Sequence, residues 1–106
     1  MARSFRIFYD NQKGVVRQNV NLAGAIDKKS AVVITAAQFE WPGGFGGLED
    51  IRPLLGAAPI WVSNVGVHGD EGGGGGVEFL LHVDTDSPLD VMVTITVFEE
   101  IEQYIH

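Results

Sequence analysis

Apolar and polar residues alternate along most of this chain with the period of two that belongs to strands. In residues 3–9, Phe5, Ile7 and Tyr9 fall on one side, with Ser4, Arg6 and Phe8 on the other. A polar turn over 10–14 ends in Gly14, and alternation resumes over 15–22, where Val16, Val20 and Leu22 oppose Arg17, Asn19 and Asn21. These two strands are expected to pair as a first hairpin. Residues 31–40 are apolar almost throughout, with a β-branched centre (Val32, Val33, Ile34, Thr35), which predicts a central strand buried on both faces.

Three further strands are expected to form an antiparallel meander over 60–67, 77–84 and 89–98. In the second, Val77, Phe79, Leu81 and Val83 point one way and Glu78, Leu80, His82 and Asp84 the other. The third has Leu89, Val91, Val93, Ile95 and Val97 on its core face, with Asp90, Met92, Thr94, Thr96 and Phe98 opposite. Residues 85–88 make a tight turn ending in proline. Five glycines from Gly72 to Gly76 read as slack between two strands, mobile because glycine loses most entropy on ordering. Residues 99–106 are an acidic tail, either one helical turn or a last edge strand.

The 41–59 stretch breaks the pattern. Trp41-Pro42 starts an extended turn, four glycines surround Phe45, and Pro53 limits any helix over 48–52 to a single turn. The expected fold is therefore all-β: a small antiparallel β-sandwich, immunoglobulin-like or jelly-roll-like. It would have about six to eight strands, one long Gly/Pro-rich crossover, and one domain over 1–106.

Composition narrows the function classes. No cysteine is present, which excludes disulfides, thiol nucleophiles and thiolate metal sites. No signal peptide is read at the N-terminus, and no apolar run nears the roughly 20 residues of a membrane helix. The expectation is a soluble protein without membrane insertion, cytoplasmic, or exported after removal of a leader not present in this sequence. Net charge is −7, unevenly spread: all seven basic residues precede Pro53, and nine of the 14 acids follow it. An acidic second half argues against nucleic acid and suits a cation or a basic protein partner. It also fits basic N-terminal strands lying beside acidic C-terminal ones.

Candidate chemistry clusters around the glycine run. His82, Asp84 and Asp86 alternate on one side, and His68 and Asp70 enter the same connection from the other strand. Together they make a candidate site for a divalent cation, calcium or zinc. A phosphate loop is excluded, because no lysine, serine or threonine follows Gly76. Ser63, His68 and Asp70 are close in sequence, yet nothing places the serine at a nucleophile turn, so an enzyme is not expected. Trp41, Phe45 and Trp61 are candidate stacking platforms for a carbohydrate, with Asp70 and Glu71 as polar partners. Leu80, Met92 and Phe98 sit on supposedly outer faces and form a candidate homo-oligomer interface, unless the 41–59 segment covers them with Leu48, Ile51 and Leu54. The leading expectation is a non-enzymatic binding or assembly module, with a lectin-like domain, with or without a divalent metal, as the alternative.

Overall fold

The computed structural model describes residues 2–42 and 46–106. Six strands form: β1 (Arg3–Gln12), β2 (Gly14–Asn21), β3 (Ser30–Gln38), β4 (Ile60–His68), β5 (Gly76–Val83) and β6 (Leu89–Glu100). They make two three-stranded sheets, ordered β1-β6-β3 and β2-β5-β4, and every neighbouring pair is antiparallel. Leu48–Asp50 makes one 3₁₀ turn, and among the described residues no helix is long and apolar enough to cross a membrane.

The alternation supplies the core. Val77, Phe79, Leu81 and Val83 of β5 and Val91, Val93, Ile95 and Val97 of β6 are all buried, with Ile26 closing one end. The two central strands thus press their apolar faces together. Residues of the flanking strands, such as Phe5, Ile7, Val20, Ile34 and Val62, pack on this core but remain only partly buried.

Three expectations about pairing are corrected. β1 and β2 do not form a hairpin: one residue, Lys13, separates them, and the chain passes from one sheet to the other there. Positive φ at Asn11 (54°) and Gly14 (75°) turns the backbone at this corner. β4 and β5 pair, but β6 crosses to the opposite sheet, so there is no meander. β3 is an edge strand, with Val33 53% exposed, rather than a strand buried on both faces. Alternation tells which side chains face the core, and that pattern is the same whether two strands pair or stack.

The glycine run is also more ordered in purpose than slack. Gly75 and Gly76 are buried: a methyl group on Gly75 would overlap the Ile26 carbonyl oxygen, and one on Gly76 the Val20 carbonyl oxygen. Gly75 O accepts a hydrogen bond from Leu22 N (2.9 Å), so the start of β5 is tucked beneath the 20–26 backbone. Residues 101–106 have no regular structure and are exposed.

Candidate functional site

β5 sends Glu78, Leu80 and His82 to the outer side of its sheet, and the register sets their neighbours. Val15 and Trp61 flank His82; Arg17 and Ser63 flank Leu80; Asn19 and Gly66 flank Glu78. The face therefore changes character along its length. At the Glu78 end it is polar and internally paired. Arg17 Nη2 donates to Glu78 Oε2 (2.7 Å), and His68 Nε2 meets Asn19 Oδ1 at 2.8 Å. The Arg17–Glu78 bond and the guanidinium charge lower the Glu78 pKa, and the same bond and the carboxylate charge raise that of Arg17.

At the His82 end the face is apolar and open. Val15 is 63% exposed and Trp61 47%. The Trp61 indole lies parallel to the His82 imidazole, whose Nε2 shares a 2.7 Å hydrogen bond with Ser63 Oγ. A shallow groove of about 310 Å³ runs alongside, lined by Lys13, Val15, Trp61, His82, Asp84 and Thr85.

The other sheet differs at the same end. There Phe8, Met92 and Ala37 form the corresponding outer row, and Phe39 just past β3 and Ile51 from the crossover cover it. Phe39 (1% exposed), Ile51 (4%) and Met92 (2%) make a second small core, with Phe8 and Ala37 against it. Trp41 packs on Phe39 and Phe8 at centroid distances of 5.0 and 5.9 Å, and its Nε1 donates to Asp10 Oδ1 (2.8 Å). Of the expected cover, Ile51 serves, while Leu48 and Leu54 stay exposed.

These placements rearrange the sequence-derived sites. Of the interface set, Met92 is buried under the crossover, and Leu80 and Phe98 lie on different sheets, so the three do not share a patch. Of the stacking set, Trp41 and Trp61 belong to opposite outer faces, and Phe45 lies outside the described residues. Asp70 and Glu71 sit near neither tryptophan; they pair with Lys28 (3.4 Å) and Lys29. With Arg17–Glu78, each of these ion pairs joins a base from the first half of the chain to an acid from the second, as the charge asymmetry suggested.

The five proposed metal ligands are divided between the two ends of β5. His68 is opposite Gly76 and His82 lies six residues further along, about 20 Å away at strand rise. One ion cannot touch both. Among the described residues, no group of three or more His, Asp or Glu side chains is gathered as a metal site needs. Asp84 and Asp86 serve the turn through their backbone: Asp84 N donates to Pro59 O, and Asp86 O accepts from Lys13 Nζ. The nearest thing to a catalytic pair is Ser63 with His82, not with His68, and it lies on an open sheet face.

Two members of the bare patch escaped the sequence reading, Val15 and the Ser63–His82 pair. Val15 was legible, since it falls on the side of Arg17, Asn19 and Asn21, where an apolar residue has no reason to be. The pairing of Ser63 with His82 needed the register of β4 on β5. Comparison with protein-family models, with curated proteins and with solved structures found no match to this chain.

Proposed function

We propose that the chain is a non-enzymatic assembly module that self-associates through the outer face of the β2-β5-β4 sheet. The observation that carries this reading is the contrast between two ends. The Phe8–Met92–Ala37 row is sealed by Phe39 and Ile51, while the Val15–His82–Trp61 row on the other sheet has no cover among the described residues. An open apolar row beside a polar, internally paired one is the pattern of an interface core with its rim.

The architecture we propose is a jelly-roll-like sandwich. Its support is the nesting of the pairs: β1 lies against β6, β2 against β5, and β3 packs on β4, as when one long hairpin wraps around itself. An immunoglobulin-like order would keep the first two strands in one sheet.

Light scattering on the eluting protein tests the assembly. A dimer or larger species that becomes smaller in a Val15→Glu/Trp61→Glu variant, with unchanged circular dichroism, is the expected result. A monomer at all working concentrations would sink the proposal.

The half-exposed Trp61 favours a second reading, a carbohydrate subsite. Lys13, Asp84 and Thr85 rim the groove beside it, and the volume suits a single sugar ring. A glycan array read against Trp61→Ala tests it, and an array without signal retires it.

A further inference from the structure

The chain has three histidines, and only His82 stands inside the apolar row. His68 lies at the polar end of the same sheet, bonded to Asn19, and His106 belongs to the exposed 101–106 segment. Histidine is the side chain whose charge ordinarily changes between about pH 5 and 8. In the row its cross-strand neighbours are Val15 on β2 and Trp61 on β4, neither of which balances a charge.

The charged groups around His82 are already matched. β4 supplies none, since Trp61 and Ser63 are neutral. On the β2 side, Lys13 lines the groove and Arg17 is bonded to Glu78. Along β5 the residues two places away are Leu80 and Asp84, and Asp84 lines the same groove as Lys13. Asp86, further along the turn, does not line it and gives Lys13 its backbone carbonyl. With Lys13 set against Asp84 and Arg17 against Glu78, a protonated His82 is the one unbalanced charge beside the groove. It also lacks an acceptor. An imidazolium donates from both ring nitrogens; Ser63 Oγ can accept from Nε2, but among the described residues nothing accepts from Nδ1.

We infer that His82 makes the self-association sensitive to acid: two copies stay joined through the β2-β5-β4 face while its imidazole is neutral and separate when it takes a proton. This sensitivity rests on the self-association proposed for that face. A two-fold contact covers each row with the same groups from the other copy, so it brings no new surplus of carboxylates. It does remove the water that would solvate a charged ring, and a buried charge without a partner is costly. The Trp61 indole attracts an imidazolium, but it does so with or without a second copy and leaves the sign unchanged. The free face therefore binds a proton that the covered face excludes, and association weakens as pH falls.

Light scattering over a dilution series at about pH 7.5 and 5.5, at one ionic strength and with circular dichroism unchanged, reads the effect. The dissociation constant of the parent protein should rise about tenfold or more on acidification, within a limit of about a hundredfold per pH unit set by two protons per pair. His82→Phe keeps an aromatic ring against Trp61 and should hold equally at both pH values. A His68→Gln/His106→Gln protein, whose one histidine is His82, should respond to acid in the same direction as the parent. A parent dimer indifferent to pH, an acid response that persists in His82→Phe, or one lost from the His68→Gln/His106→Gln protein overturns the switch. If His82→Phe does not assemble at all, the His68→Gln/His106→Gln protein decides alone. The Val15→Glu/Trp61→Glu protein separates this switch from the proposed function. A pH-indifferent dimer that those substitutions divide refutes only the switch. A parent that is monomeric at both pH values, or a dimer that survives those substitutions, refutes the face contact and the switch together.

Discussion

The imidazole of His82 lies on the indole of Trp61 with ring centroids 4.6 Å apart and planes only 7° from parallel. The two residues are direct cross-strand neighbours on β5 and β4, so the stack follows from the register. Aromatic pairs contribute about 0.5–1.5 kcal/mol beyond their buried area. His82→Ala should therefore cost about 1 kcal/mol in chemical denaturation. Ser63→Ala should cost less than half of that, because water reaches this face and replaces a lost hydroxyl partner. Equal losses would mean that the hydrogen bond, not the stack, holds the imidazole.

The glycine run contains two kinds of position. Gly75 has its would-be Cβ against the Ile26 and His68 carbonyl oxygens, which are backbone and cannot swing away. Gly74 has nothing within 4 Å and no positive φ. Gly75→Ala should destabilise by ~3 kcal/mol or more, in the range of overpacking. Gly74→Ala should be neutral or stabilise by up to ~1 kcal/mol through the unfolded chain. Thermal melts of the two variants check this, and equal midpoints would show that the loop is slack throughout.

Those glycines show how far local pattern reaches. The alternation in residues 77–83 and 89–97 named the inner faces of β5 and β6 correctly, because burial on one side imposes period two whatever the partner. It could not say that β5 and β6 stack across the core instead of pairing, since both arrangements bury the same residues. The candidate site suffered from the same gap. Met92 and Leu80 look alike in sequence, each an apolar residue on an outer face. What separates them is a cover assembled from Phe39, just past the end of β3, and Ile51, brought back by a crossover whose path no short-range signal encodes. β3 was misread for a different reason: its apolar, uncharged run describes a strand covered on both faces, whereas β3 stands at the end of its sheet with Val33 and Thr35 exposed on the outer side.

Acid should weaken the polar end of the β5 outer face. The hydrogen bond and charge of Arg17 lower the Glu78 pKa, so folding favours the ionised carboxylate. The resulting contribution is present above the ordinary glutamate range and is lost as pH falls through the depressed folded value. Arg17 stays charged throughout, so the carboxylate alone sets this window. Glu78→Gln should flatten the acid limb of the melting temperature against pH, slightly, because both side chains are exposed and salt screens them. Parallel acid limbs at low ionic strength would show that the pair adds nothing to folding.

The small core under the crossover should be separable from the main one. Phe39, Ile51 and Met92 are buried together, while the principal cluster runs through β5 and β6 on the other side of the sheet. Ile51→Ala removes the contact through which residues after the 3₁₀ turn hold to the β1-β6-β3 face. Large-to-small changes at such sites cost about 2–5 kcal/mol when the whole fold depends on them. Here the surroundings can relax, because Leu48, Leu54 and Leu55 of the same segment are already exposed. The expected loss is therefore at the lower end, about 2 kcal/mol. Phe39→Ala, which also strips the ring on which Phe8 and Trp41 pack, should cost at least 3 kcal/mol. The distinguishing measurement is native-state proteolysis. Ile51→Ala should speed cleavage within residues 46–58 far more than cleavage in β5 or β6, since local opening there no longer requires global unfolding. Uniform acceleration along the chain would mean that crossover and sheets unfold as one unit, and that the Met92 cover is an integral part of the main core.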